Sequence, residues 1–378
     1  MGIRVYLPDV RNFNYMEYYI YGFHQLLKEG KIDSLKMEFK TGPRPGFIFK
    51  EKARTAKSCS ILTRGRIGKI SSPDNWYNLE VDISDGHIHR NGIINILDTP
   101  WDFGSISDFK SADIFFKCQY PSSFKSGLVP LSDCASIKID TPIMEEAKKV
   151  RPLMLGRPLS RQMDMSIDEK LLKRMCTLRN CRKSRKFNLL AFLGMARDDI
   201  NIACTHHPHL KRAAVAEWII DNIPKSKVVF RKPSQAKFME YYSDRLRQTS
   251  PILPISDSRY FSWCFNSYST INITGLRGSI PFRIVDSFLT GMCLFSDDFY
   301  VDWYHKLEKD KDYLSIGKLG YYNLNEIEIS ESLKILKDHI ENVATISNDL
   351  RECREYSFNK YYSPSAVAEH IIHETLSS

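Results

Sequence analysis

Two glycines, two arginines and an aspartate crowd into twelve residues of the stretch ITGLRGSIPFRIVDSFLTGMCLFSDDF. Thr270 to Thr274 reads as a strand that runs into a loop from Gly275 to Gly278. Ser279 is then a good helix N-cap, with Pro281 in the first turn, where a proline is tolerated. Glycines before a helix N-terminus let backbone N–H groups approach an anion, and the helix dipole favours negative charge there. Arg277 and Arg283 flank that point and could clamp a phosphate bidentately. Asp286 could accept hydrogen bonds from a ribose. A glycine-rich turn with solvated arginines accounts for the same residues, and their types alone leave both readings open.

Other chemistries find less support. CTHHPHLK offers Cys204, His206, His207 and His209, but zinc sites pair such ligands with a distant second cluster. Cys176 and Cys181 do not supply one. The Asp310-Lys311-Asp312 triplet imitates a metal-binding DxD motif but sits in a charged run, EKDKDY, that reads as a solvated turn. No P-loop and no G-x-G-x-x-G follows a strand, which removes the main support for ATPase and dinucleotide-dehydrogenase readings. No G-x-S-x-G elbow occurs either.

The elements that must position these residues alternate. IRVYLP is a short strand, and in YMEYYIYGFHQLLKEG the apolar positions recur every three or four residues up to a capping Gly30. Short strands follow at Ser60 to Leu62, Ile93 to Leu97 and Ile114 to Phe116, while residues 40 to 90 give no clear order. After residue 186 the rhythm is plainer. FNLLAFLG, KVVFRK, TINIT and MCLFS read as strands; LKRAAVAEWIID, SRYFSWCFNSYS and PFRIVDSFLTG read as helices; the tail reads as two or three more. Such alternation implies parallel sheets covered by helices.

The 378 residues suggest two domains, with 43% hydrophobic and 26% charged residues as in an ordinary globular protein. No apolar run reaches the roughly 18 residues of a membrane span, and the N-terminus turns polar too early for a signal peptide. Nine scattered cysteines do not form a disulfide framework. A cytoplasmic protein is expected. Of the net charge of +9, a surplus of eight lies between Arg151 and Lys186, where eleven basic residues face three acidic ones. The simplest expectation for that run is a solvated connector between domains.

The pattern RGS-x-PFR-x-x-D-x-x-x-x-G-x-x-L-x-SDDF is similar to the donor-binding segment of exostosin-like glycosyltransferases of the GT-B fold. The resemblance implies two Rossmann-like α/β domains facing a cleft, with a C-terminal helix that crosses back to the first. It sets Arg283 near the donor diphosphate and Asp286, in place of the more usual Glu, at the nucleotide ribose. It also implies donor contacts from Gly194 and Arg197 after FNLLAFLG, from Arg231 at a strand end, and from Arg277, Gly278 and Ser279. Retaining enzymes of this class commonly carry a second acid eight positions before the ribose-binding one; here that position is Gly278, which favours inversion. The base should then come from the first domain. Asp98 directly follows the strand IINIL, Asp102 lies one turn on, and Asp85 and His87 in SDGHIH come next; Lys117 ends DIFFK.

The expected division is an acceptor-binding domain over 1–160, a basic interdomain segment over 161–186, a nucleotide-sugar domain over 187–355 and a closing helix over 356–378. The expected activity is sugar transfer from a nucleotide-sugar to a hydroxyl of a glycan or lipid-linked acceptor. No metal or other cofactor is expected, peripheral contact with a membrane is compatible with such an acceptor, and no nucleic acid is expected. Two rivals stay open: a nucleic-acid-binding protein using residues 151–186, and a catalytically inactive module of the same fold.

Overall fold

In a computed structural model of the chain, the described residues are 2–10, 13–39, 59–63, 77–132, 135–159, 165–179, 184–193, 208–230, 243–249, 255–273, 279–317 and 326–378. The first half opens with β1 (Arg4–Leu7), α1 (Phe13–Lys28), β2 (Ser34–Phe39), β3 (Cys59–Thr63), β4 (Asn78–Ser84) and β5 (His89–Asn95). It continues with α2 (Ile106–Ser111), β6 (Ile114–Lys117), β7 (Tyr120–Pro121), β8 (Leu128–Ser132), β9 (Ala135–Lys138), α3 (Thr141–Glu145) and β10 (Val150–Pro152). Seven strands form one sheet in the order β10-β6-β5-β4-β1-β2-β3. All run parallel except β4, which is antiparallel to β1 and β5. β4 alternates buried and half-exposed residues in NLEVDIS, and it falls in the stretch whose order the sequence does not show.

The second half comprises α4 (Met165–Arg179), β11 (Phe187–Leu193), α5 (Pro208–Asn222), β12 (Ser226–Phe230), α6 (Asp244–Thr249), α7 (Asp257–Phe265) and β13 (Ser267–Asn272). Then come α8 (Arg283–Thr290), β14 (Cys293–Ser296), β15 (Val301–Asp302), β16 (Leu314–Ser315), α9 (Glu326–Glu341), α10 (Val343–Ser357), a π-helical turn at Phe358–Tyr362, and α11 (Pro364–Ser377). Five of its six strands form one parallel sheet, in the order β12-β11-β13-β14-β16. The near-continuous apolar run of β11 suits a strand covered on both faces. One expected boundary moves. The residues SYS belong to β13 rather than to the preceding helix, because Asn266 ends α7 and Ser267 already pairs with Phe187.

The two Rossmann-like units are fused by their packing. α11 crosses back onto the first half and lies along α1, where Gly22 lets the helices touch; a Cβ there would fall within 2.1 Å of the Pro364 carbonyl oxygen. Ser363 caps α11 through the amide of Ala366, and Pro364 occupies its first turn. Covered by the sheet on one side and α11 on the other, α1 buries Tyr18, Tyr19, Ile20, Tyr21 and Phe23 around its whole circumference. β15 pairs antiparallel with β7 in a separate two-stranded sheet, a second backbone link between the halves.

The described part of the basic run is not a solvated connector, and to that extent the expectation for it is corrected. Residues 165–179 form a helix, α4, and three arginines of the run act as ties between elements. Arg157 and Arg179 are buried, the latter donating to Glu355 at 2.6 Å. Arg185 donates to the carbonyls of Ser267 and Thr290 at 2.5 and 3.1 Å. Of the basic residues in the described part of α4, Lys170, Lys173 and Arg174 stay open to solvent. Among the described residues no helix is long and apolar enough to cross a membrane.

Candidate functional site

In an open parallel sheet, ligands bind beyond the carboxyl ends of the strands where the winding reverses. In the second sheet that point lies between β11 and β13, since β12 is added on one side of β11 and β13 on the other. A small cavity opens there, lined by Phe192, Leu193, Arg212, Asn272 and Arg283. Arg212 comes from α5 and Arg283 from the start of α8, so two guanidinium groups converge from opposite sides of the switch point.

Arg212 is 8% exposed and donates from Nη2 to the carbonyl of Ile273 at 3.0 Å, which holds it at the end of β13. Burial lowers its pKa to about 10, the charge of Arg283 acts in the same direction, and Asp297 and Asp98 oppose both. It therefore keeps its charge at neutral pH. Arg283 lies with its guanidinium carbon 5.5 Å from the ring centre of Phe192. Sequence reading passed over Arg212, although its signal is present. Residues 212, 216, 219 and 223 make one buried stripe, so an arginine heads an otherwise apolar face.

Asp98 is the acid of the other half whose charge is felt at Arg212. It follows β5 at the carboxyl edge of the first sheet and is exposed. Asp102 lies on the same loop, where its Oδ1 accepts the amide of Gly104 at 2.8 Å and shapes the turn. His87 does not belong to this group. Because β4 runs antiparallel, the tip between β4 and β5 opens on the amino edge of the sheet, and His87 stands one strand length, about 20 Å, from the Asp98 edge. Asp85 at that tip accepts the amides of His87 and Ile88, both at 2.8 Å, which holds its carboxyl below the usual range. Both serve the hairpin.

Two expectations for the glycine-loop helix also change. α8 begins at Arg283, with Phe282 at the cap position and no side-chain cap, so Ser279 is not the N-cap. Residues 279 and 280 are neither helix nor strand, and Gln119 from the first half pairs with the backbone of Ile280 as a neighbouring strand would. Its Nε2 donates to the Ile280 carbonyl at 2.8 Å and its Oε1 accepts the Ile280 amide at 2.9 Å. The amides of Ile284 and Val285 bond back to Pro281 and Phe282, so they are not free for an anion.

Asp286 is fully buried and faces protein rather than solvent. Arg157 Nε lies 2.6 Å from its Oδ1, and the hydroxyl of Tyr260 donates to its Oδ2 at 3.0 Å. Arg157 in turn lies 4.7 Å over the ring of Phe261. Burial pushes the Asp286 carboxyl above the usual carboxylate range, while Arg157, Tyr260 and Arg283 pull it back. Tyr260 takes Oδ2, and Oδ1 lies against Arg157 without a hydrogen bond of its own, so the carboxylate is buried against the chain itself and its surroundings give the ribose role no support. Gly194, Arg197, Arg231, Arg277 and Gly278 lie outside the described residues, as do Cys204, His206 and His207. Asp312 is not a solvated turn residue: it is buried and accepts the amide of Glu308 at 2.9 Å.

Fold and site together define a two-domain α/β protein with a basic pocket on one sheet edge and an exposed acid on the carboxyl edge of the other sheet. No family model matches the sequence, and no curated protein matches it. Similar solved structures include the lipopolysaccharide outer core galactosyltransferase WaaB, at 10% identity and a TM-score of 0.46, covering 98% of each chain. HepE of Anabaena, solved with UDP-glucose, shows 9% identity and a TM-score of 0.46 over 100% of each chain. TarM shows 8% identity and a TM-score of 0.42, covering 94% of this chain; the present chain spans 57% of the length of TarM. Overlays at these values carry no weight for the chemistry, which rests on the residues above.

Proposed function

We propose that the chain is a glycosyltransferase. It moves a sugar from a nucleotide-sugar bound at the second sheet to a hydroxyl of a glycan or lipid-linked acceptor bound at the first, with inversion. The observation that carries this reading is the convergence of Arg212 and Arg283 on the switch-point pocket, with Asp98 exposed at the carboxyl edge of the opposite sheet and its charge acting on Arg212.

Each group has a task in that reaction. Asp98 takes the proton of the acceptor hydroxyl as its oxygen attacks the anomeric carbon. The bond from that carbon to the diphosphate oxygen breaks, and its electron pair leaves with the diphosphate. Arg212 and Arg283 neutralise the charge that develops there, a role fixed positive groups perform without a metal ion. Gly278, where a retaining enzyme of the resembled class carries an acid, supports the inverting course. Lys170 and Arg174 stand exposed on α4 toward an anionic acceptor or a lipid surface, while Lys173 pairs with Glu169 at 2.9 Å.

The nucleic-acid reading loses support because Arg157, Arg179 and Arg185, counted in the basic run, are engaged inside the fold. A thermal-shift panel of nucleoside diphosphates and nucleotide-sugars tests the proposal, since a ligand that binds the native state raises the melting temperature by mass action. Stabilisation by one nucleotide-sugar, with release of its nucleoside diphosphate on adding acceptor, is expected. Stabilisation by oligonucleotides alone would overturn it.

A further inference from the structure

Lys117 ends β6 with no exposed surface, and its ammonium is spent on one neighbouring strand and loop. Nζ donates to Asn95 Oδ1 at 2.8 Å, to the Asp102 carbonyl at 2.6 Å and to the Leu97 carbonyl at 3.5 Å. The two carbonyls bracket the loop 97–102, so a single ammonium ties both ends of the segment that carries Asp98. Asn95 is fixed in turn. Its Nδ2 donates to Asn78 Oδ1 at 2.9 Å and to the Phe103 carbonyl at 3.4 Å, and Asn78 donates to Asp108 on α2 at 2.9 Å. A lysine ammonium has three donors, and three oxygens take them, so none is left for a substrate.

Such a residue is expensive in the interior. Burial lowers its pKa to about 7, against the pull of Asp102, Cys118 and Asp98. An apolar side chain of similar size would fill the same space without that penalty. What the ammonium adds is a defined loop. We propose that Lys117 is a positioning residue, whose ammonium holds the loop 97–102 in the one shape that turns Asp98 toward Arg212. The proposal deepens the glycosyl-transfer reading, because Asp98 is the base in it.

The test needs no nucleotide. The Asp98→Asn and Arg212→Gln changes, made singly and together at pH 6, where Lys117 carries its proton, measure the coupling of the two residues from urea unfolding midpoints, first in the native background and then with Lys117→Met. The coupling is expected to vanish in the Lys117→Met background, and amides 97–103 to exchange with deuterium roughly tenfold faster while those of β11 and β13 keep their protection. Should Lys117→Met not fold, Asn95→Ser, which removes one of the three acceptors, replaces it in the same cycle. Undiminished coupling, or unchanged exchange in the loop, overturns the proposal. A native chain that meets both expectations yet binds no nucleotide-sugar in the panel above keeps Lys117 as the loop's anchor and removes only the transfer reading. Nucleotide-sugar binding with coupling insensitive to Lys117 does the reverse.

Discussion

Arg157 and Asp286 meet between the two halves of the chain, Nε to Oδ1 at 2.6 Å, with both side chains buried. The arginine belongs to the segment 153–159, which is buried throughout although it is neither helix nor strand. α1 supplies the missing backbone partners there. Tyr19 donates to the Met154 carbonyl and accepts the amide of Gly156, both at 2.9 Å, while Glu17 accepts the amide of Leu159 at 2.7 Å. The first half therefore holds Arg157 rigidly against α8 of the second.

Removing one partner of such a pair leaves a buried charge uncompensated, which costs about 3–5 kcal/mol. Asp286→Ala should lower the urea midpoint accordingly, and the apolar double change Arg157→Met with Asp286→Leu should recover much of the loss. Affinity for a nucleoside diphosphate should be unaffected in the folded fraction. A variant with native stability and lost affinity would return Asp286 to the ribose.

Lys117 predicts how stability varies with pH. Its folded pKa is about 7, whereas an unfolded lysine titrates near 10.4. Between those values the unfolded chain binds a proton that the folded chain has released, so this residue makes stability rise with pH across that window. Below about 7 both states are charged and its contribution is flat. Urea midpoints from pH 6 to 10, compared between the native chain and Lys117→Met, isolate the effect, and the variant should lack this rise.

Gly22 predicts the strength of the helix crossing. An exposed Gly→Ala change inside a helix normally stabilises by about 1 kcal/mol. Here the added Cβ would meet the Pro364 carbonyl oxygen at 2.1 Å and the Ala368 Cβ at 2.9 Å, so α1 and α11 must separate. Gly22→Ala should therefore destabilise, by roughly 1–3 kcal/mol, and should speed amide exchange in α11 more than in β11 or β13.

The alternation of elements was legible where local pattern and tertiary role agree, as in β11, β14 and α5. β4 was not, because a strand's direction depends on its partners and not on its own residues. The same limit hid the true place of His87. The charged residues failed differently. Arg157, Arg179 and Asp286 are typed as surface groups by composition, and only the docking of one half on the other buries them. Arg212 was readable in principle, from its place on a buried stripe, but a single charge at the head of a helix looks like a solvated end until the strand beside it is known.

The sharpest functional prediction concerns the opposed charges of the pocket. Arg212→Gln and Arg283→Gln each remove a charged hydrogen-bond donor from the proposed diphosphate site. Bonds of that kind are worth about 1.5–3 kcal/mol, which corresponds to roughly ten- to a hundredfold in the dissociation constant for the nucleoside diphosphate. Asp98→Asn should act in the other sense. Its charge acts on Arg212 and opposes an incoming anion, so neutralising it should leave affinity equal or slightly tighter while turnover falls by about 10²- to 10⁴-fold, the usual contribution of a general base. Calorimetry on the three variants, beside initial rates with the donor found in the thermal panel, separates these effects. Weaker nucleotide binding in all three variants would make Asp98 part of the donor pocket and leave the base to be sought elsewhere on the first sheet's carboxyl edge.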